Sequence, residues 1–94
     1  MDDDFWFDVG REERHRVEVS FSRAWGRLKI KVDGSVVVSD RMIFSVKLTK
    51  RYEFTVGQAE RHLVAIVKKR ALLFGGLLPS TYQVFIDGQH VQTF

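Results

Sequence analysis

Hydrophobic and polar residues alternate along most of the chain, and this period of two is typical of β-strands with one buried face. In residues 16 to 22, Val17, Val19 and Phe21 fall on one side of the predicted strand, and polar residues fall on the other. Similar alternation occurs in residues 27–34, 42–48, 51–57 and 81–87. The pattern therefore predicts an all-β chain. Its core is predicted to include Val19, Ile30, Phe44, Phe54, Val84 and Ile86.

Two Asp-Gly pairs join the predicted strands. Asp33-Gly34 and Asp87-Gly88 each stand between two apolar, strand-forming runs. Glycine accepts a positive φ and aspartate tolerates it, so the pair suits the tight turn whose twist matches a hairpin. We assign all four residues a structural role and treat the two phrases as the only internal recurrence, too short to be a repeat. Together with the strands, they predict a small antiparallel β-sandwich of about seven or eight strands.

Residues 60 to 74 are ambiguous. Several apolar positions fall at helical spacing, whereas the continuous apolar run from Leu63 to Val67 favours a strand covered on both faces. The surrounding strand spacing favours the strand, and the pattern leaves the helix open. The apolar loop of residues 71–79 is either buried in the core or exposed as a contact patch.

A chain of 94 residues is expected to form one domain. Residues 1 to 13 hold six acidic residues and one basic residue, whereas residues 14 to 94 hold 14 basic and six acidic residues. We therefore divide the chain into an acidic aromatic leader, 1–13, and a basic sandwich domain, 14–94. The aromatic run Phe5-Trp6-Phe7 predicts that residues 5 to 9 pair with a sheet edge and that Trp6 is at least partly buried, while Asp2 to Asp4 stay mobile.

Composition excludes several chemistries. The chain has no cysteine, which rules out disulfides, thiolate metal sites and a cysteine nucleophile. His15, His62 and His90 lack the spacing of a metal site, and no serine stands in a nucleophile elbow. We expect no catalytic residue, no metal and no cofactor. Because no apolar run is long enough to span a membrane and no secretory signal begins the chain, we expect a cytoplasmic protein.

Basic and apolar residues supply the candidate binding positions. The basic stripe, Arg27, Lys29 and Lys31, is predicted to face outward from one strand, and a second basic cluster, residues 68–70, precedes the apolar loop 71–79. Their positive charge could bind a partner or an anion, and the apolar loop could contact a partner. The candidates are Arg27, Lys29, Lys31, Lys68, Lys69, Arg70, Leu73, Phe74 and Leu77. Sheet-based nucleic-acid binders also expose aromatic residues to stack on bases. Because most aromatics here are predicted to face inward, we do not expect nucleic acid as the main partner.

The sequence resembles the Fas apoptosis inhibitory molecule family. The stretch "RVEVSFSRAWGRLKIKVDGSVV", then "YEFTVG", then "YQVFIDGQHV" follows the order of that family's strand, turn and Asp-Gly hairpins. The similarity extends over about residues 14 to 94 and rests on short turn-building motifs. The matching positions are Ile30, Val32, Asp33, Gly34, Phe54, Val56, Gly57, Tyr82, Val84, Ile86, Asp87, Gly88 and Val91. The resemblance implies a compact antiparallel β-sandwich without catalytic residues that acts through protein contacts.

We therefore predict a non-enzymatic β-sandwich module for protein–protein interaction, whose partner the sequence does not identify. The alternative is a weak binder of nucleic acid or of an anionic membrane surface through the basic sheet face. The pattern also leaves a homo-oligomer open.

Overall fold

The computed structural model describes residues 2–22, 26–41, 49–69, 72–73, 76–77 and 81–94. These residues form β-strands and no helix, and so include no helix long and apolar enough to cross a membrane. The strands are β1 (Asp2–Val9), β2 (His15–Ser22), β3 (Arg27–Val32), β4 (Ser35–Arg41), β5 (Thr49–Val56), β6 (His62–Lys69), β7 (Leu72–Leu73), β8 (Gly76–Leu77), β9 (Thr81–Ile86) and β10 (Gln89–Thr93).

The predicted fold class, an all-β antiparallel protein of the small β-sandwich type, is confirmed. Eight strands form two four-stranded antiparallel sheets, and β7 and β8 form a short hairpin. The chain divides into two compact units, Met1–Ser45 with Thr55–His62, and Val46–Phe54 with Leu63–Phe94. The proposed division into a leader and a single sandwich domain stays a prediction.

The first unit contains a sheet in which neighbours in sequence are neighbours in space, in the order β1-β2-β3-β4. Val17, Val19 and Phe21 are buried along β2, and the residues between them are exposed, so the period of two reports this face correctly. Leu28 and Ile30 continue the buried side on β3. One side of this sheet is therefore core, and the other is open to solvent.

Residues assigned to the leader form β1, which pairs with β2 along its whole length from Asp2↔Ser22 to Val9↔His15. The predicted pairing of residues 5 to 9 with a sheet edge is confirmed, and the pairing extends further, to Asp2. Phe7 and Val9 are buried, which explains why an acidic segment carries apolar side chains. Because the whole segment is hydrogen-bonded to β2, the expectation that Asp2 to Asp4 stay mobile is wrong.

The second unit contains a sheet in the order β10-β9-β6-β5. The ambiguous segment is resolved as the strand β6, in which Val64 to Lys68 are all buried. Burial of consecutive residues means that both faces of β6 are covered, as the continuous apolar run predicts. In the core prediction, Val19, Ile30 and Val84 are confirmed, whereas Phe54 and Ile86 are only half-buried and Phe44 lies outside the described residues.

Both Asp-Gly pairs form the predicted two-residue hairpins. Positive φ angles occur at Asp33 (50°) and Gly34 (85°), and again at Asp87 (52°) and Gly88 (83°). Two successive positive φ angles are the signature of the type I′ turn. The two turns close β3 onto β4 and β9 onto β10.

Candidate functional site

The predicted basic stripe lies on the solvent-exposed side of the first sheet. Lys29 and Lys31 alternate on β3 with buried residues, and Arg27 precedes them on the same side. In the register with β2, Lys31 stands opposite Glu18 and Lys29 opposite Ser20. Arg27, Lys29 and Lys31 therefore share the outward side of β3, and the Glu18 carboxylate stands directly beside Lys31.

The second basic cluster is placed differently. Lys68 is only 2 % exposed, with its Nζ 5.9 Å from the centroid of the Tyr82 ring, whereas Lys69 is exposed. A buried Lys68 does not offer its charge to a partner at the surface. Arg70 and Phe74 lie outside the described residues, and for Leu73 and Leu77 only the strands β7 and β8 are described. The question of whether loop 71–79 is buried thus also lies outside the described residues.

An exposed aromatic stands on the same side of the first sheet as the basic stripe. Trp6 is 54 % exposed, and the guanidinium carbon of Arg16 lies 4.0 Å from the centroid of its ring. Trp6 was predicted to be at least partly buried, and it is slightly less than half buried. The group described against its ring is the Arg16 guanidinium, not an apolar side chain. A cation over an indole face is attracted by the ring quadrupole, which holds both side chains in a defined arrangement.

We call this side of the sheet the exposed face. It consists of Asp4, Trp6, Asp8, Arg16, Glu18, Ser20, Arg27, Lys29, Lys31, Val36, Ser39 and Arg41. Its charges are sorted by strand: β1 contributes carboxylates, whereas β3 contributes cations. A shallow hollow of about 350 Å³ lies between them, with Trp6, Glu18 and Lys31 among its lining residues. The face therefore has a negative edge, a positive side and an aromatic anchor.

A second polar arrangement joins His15 to two carboxylates at the start of β2. The Nδ1 of His15 is 2.5 Å from Oδ2 of Asp33, and its Nε2 is 2.6 Å from Oε2 of Glu13. Only the charged imidazole can donate from both ring nitrogens, so the two carboxylates favour that form. The hydrogen bond to Asp33 and then the one to Glu13 raise the pKa of His15 above 6.5.

Glu13 also binds the backbone of a distant loop. Its carboxylate accepts hydrogen bonds from the N–H groups of Gln58 (2.7 Å) and Ala59 (2.9 Å). The hydrogen bond from His15 and these backbone donors lower the pKa of Glu13 to about 2. The charged carboxylate thus connects two segments of the first unit.

Glu60 in turn accepts hydrogen bonds from the backbone of the loop that contains Glu13. Its carboxylate accepts hydrogen bonds from the N–H groups of Arg11 (2.8 Å) and Glu12 (2.9 Å), and its Oε2 is 2.5 Å from Nε2 of His62. The His62 hydrogen bond, followed by the backbone donors, lowers the pKa of Glu60 to about 2. We call the loop between β1 and β2 and the loop between β5 and β6, together with the Glu13 and Glu60 carboxylates, the reciprocal latch.

Sequence reasoning missed the latch although the sequence contains a signal for it. "GREERH" at residues 10–15 and "GQAERH" at residues 57–62 share a glycine and the run Glu-Arg-His at the same spacing. The Asp-Gly phrases are therefore not the only internal recurrence. Both loop glycines have positive φ, and a Cβ on either would lie 2.0 Å from the carbonyl oxygen of Glu13 or Glu60, respectively. Only glycine fits this loop.

The latch does not offer an obvious catalytic base. His15 and Asp33 lie beside Ser35 in a cleft of about 450 Å³, a combination of residue types used in nucleophilic catalysis. A histidine acting as base must present a free ring nitrogen to the hydroxyl. Here Nε2 of His15 lies 2.6 Å from Oε2 of Glu13, so neither ring nitrogen is free to accept a proton from the hydroxyl. In the described part of the chain, no group of three or more histidine, aspartate or glutamate residues is arranged to hold a metal ion.

Comparison with known proteins adds no relative. No protein-family model matches the chain, and no curated protein or solved structure matches it either. The resemblance to the Fas apoptosis inhibitory molecule family therefore rests on the short motifs alone.

Proposed function

We propose that this chain is a non-enzymatic protein-interaction domain that binds through the exposed face of its first sheet. The observation that carries the proposal is Trp6, which stands more than half exposed on a strand with the Arg16 guanidinium stacked over it. Trp and Arg are the residue types most enriched among interface hot spots. An aromatic anchor already fixed in place loses little side-chain entropy on binding.

The charge pattern favours a protein partner over a polyanion. Lys29 and Lys31 would attract phosphates, but Asp4, Asp8 and Glu18 share the same face and would repel them. A protein surface can present both signs and match them. Weak binding of nucleic acid or of an anionic membrane surface through the basic stripe stays the alternative.

Three further parts of the proposal each rest on one observation. The absence of an enzyme activity is supported by His15, whose two ring nitrogens are both held by carboxylates. Membership in the Fas apoptosis inhibitory molecule family is supported by the two Asp-Gly hairpins. A cytoplasmic location is supported by a core that is built without cysteine.

The test compares the intact chain with Trp6→Ala and with Val91→Ala, a matched control because Val91 is 52 % exposed in the second unit. Each tagged protein is exposed to lysate of the native organism, and captured proteins are identified, purified and rebound. We expect a partner that rebinds the intact chain and Val91→Ala but not Trp6→Ala. Binding unaffected by Trp6→Ala would contradict the proposal. Weak, salt-sensitive binding of DNA or of anionic vesicles that Lys29→Glu abolishes, with no protein partner that requires Trp6, would instead support the alternative.

A further inference from the structure

We propose that the exposed face of the first sheet docks against the same face of a second copy of this chain. The inference rests on the proposed function, because it names a partner for the surface described there. Its basis is the order of side chains across the four strands. When a second copy is placed over the first with this order reversed, each side chain meets one of complementary charge or polarity.

One row across the four strands defines the complementarity. Trp6 on β1 is in register with Glu18 on β2, which is in register with Lys31 on β3, which is in register with Val36 on β4. Paired residues of an antiparallel sheet point to the same side, which places Trp6, Glu18 and Lys31 on the exposed face. The β3–β4 register shifts between Ile30 and Lys31, so Val37 is an extra residue of β4 at this row, and the exposure of Val36 places its side chain in solvent beside Lys31. The row has a large apolar side chain at each end, since Val36 is 52 % exposed, and opposite charges between them.

A two-fold axis parallel to the strands, lying in the contact plane between β2 and β3, reverses this row. In such a dimer each residue i that meets j is matched by j meeting i. Trp6 of one copy then lies over Val36 of the other. Glu18 of each copy lies over Lys31 of the other. Every member of the row thus meets a complementary group.

The neighbouring row follows the same rule. It runs from Asp4 through Ser20 and Lys29 to Ser39. Reversal places Asp4 over Ser39 and Ser20 over Lys29, so each charged group meets a hydroxyl that can hydrogen-bond to it. No like charges are opposed in either row.

The charges also disfavour a face-to-face dimer whose two-fold axis is perpendicular to the strands. A two-fold axis perpendicular to the strands would place β1 over β1 and β3 over β3. The carboxylates of β1 would then face the carboxylates of the other β1, and the ammonium groups of β3 would face those of the other β3. Opposed like charges cost free energy, so the charge pattern selects the axis parallel to the strands.

The contact is small. Four strands separated by about 4.8 Å span only about 14 Å between the first and the last. An interface of this width belongs to the weak, transient class rather than to permanent dimers. We therefore expect dimers that form and dissociate as the protein concentration changes.

The experiment is sedimentation velocity over a concentration series with the intact chain, Glu18→Lys, Lys31→Glu and an equimolar mixture of the two variants. Each variant alone opposes like charges at both Glu18–Lys31 contacts, and each should remain monomeric where the intact chain dimerises. In the mixture, the new lysine of one variant faces the new glutamate of the other. We expect the mixture to recover association.

The mixture is the decisive sample because Glu18 and Lys31 are also neighbours within one chain. Loss of that internal pairing would affect each variant alone, and mixing would not repair it. Circular dichroism of each variant checks that it is folded. Monomeric behaviour of the mixture, or of the intact chain at every accessible concentration, would overturn the proposal.

This result separates self-association from the proposed function. If the intact chain stays monomeric while a purified partner still requires Trp6, the interaction module stands and the dimer fails. If the charge-swapped mixture associates while no other protein requires Trp6, the dimer stands and the search for a different partner fails.

Discussion

The carboxylates of Glu13 and Glu60 each accept hydrogen bonds from the loop in which the other glutamate lies. Glu13 accepts them from the two residues before Glu60, and Glu60 accepts them from the two residues before Glu13. These bonds join residues more than 40 positions apart in sequence, within the first unit. Both loops therefore depend on two carboxylates for the satisfaction of their backbone donors.

Glu60→Ala should destabilise the protein. The substitution leaves the N–H groups of Arg11 and Glu12 without their acceptor and removes the hydrogen bond to His62. We expect thermal unfolding, followed by circular dichroism, to shift down by several degrees. Glu53→Ala is the control, because Glu53 is exposed and its carboxylate pairs with the neighbouring Arg51 side chain. Equal melting temperatures for the two variants would show that the latch does not stabilise the fold.

Stability should depend on pH at both ends of the range. The pKa of Glu13 and of Glu60 is lowered from 4.5 to about 2, so their contribution is complete above about 4.5 and is lost as the pH falls towards 2. The pKa of His15 is raised above 6.5, so its contribution is complete below 6.5 and is lost as the pH rises through the raised pKa.

Urea unfolding midpoints measured against pH should thus reach a plateau between pH 4.5 and 6.5 and decline on both sides. His15→Asn, which cannot carry the imidazolium charge, should make the alkaline decline shallower. A midpoint that rises steadily from pH 6.5 to 9 in the unmodified chain would be the opposite of the expected sign.

Gly57→Ala should cost more stability than Gly34→Ala. Gly34 has a φ of 85° with nothing within 4 Å of an added Cβ, so alanine there meets only the backbone penalty of about 1–2 kcal/mol. Gly57 has a φ of 99°, and its Cβ would overlap the Glu60 carbonyl oxygen. Alanine at Gly57 must therefore also displace the latch loop. Chemical denaturation measures the free energy of unfolding of both variants. A larger loss of stability for Gly34→Ala than for Gly57→Ala would contradict the described loop geometry.

Ile30→Ala should destabilise the first sheet by about 2–5 kcal/mol, because Ile30 is fully buried and the substitution leaves a cavity. Val36→Ala on β4 should change the free energy of unfolding by no more than about 0.5 kcal/mol, because Val36 is exposed. Similar losses in urea titrations of the two variants would mean that the buried side of the sheet is wrongly assigned.

The strands were predictable because they obey local rules. Alternation identifies the buried side of β2 and β3. The two Asp-Gly pairs identify the hairpins, since Asp-Gly is one of the few pairs that readily adopt positive φ at two successive residues. The aromatic run in an acidic segment likewise predicted the pairing of β1. Each of these signals is contained in a window of a few residues.

The latch and the burial of Lys68 were missed for different reasons. The latch bonds connect side chains to a backbone far away in sequence, and no periodicity reports such contacts; only comparison of residues 10–15 with 57–62 reveals them. Lysine is rarely buried, so a lysine at the end of an apolar run is predicted to be the first exposed residue. Its burial depends on tertiary packing, which the pattern of one strand does not encode.

The most direct test of the exposed face as a docking surface is a series of ¹H–¹⁵N spectra of the labelled chain, recorded from dilute to concentrated solution. Rapid exchange between monomer and dimer shifts the resonances of residues at the contact. We predict concentration-dependent shifts at Trp6, Glu18, Lys31 and Val36, with Leu63 and Val91, which are exposed in the second unit, unchanged. Shifts that centre on Leu63 and Val91 while Trp6 and Lys31 remain fixed would contradict the account.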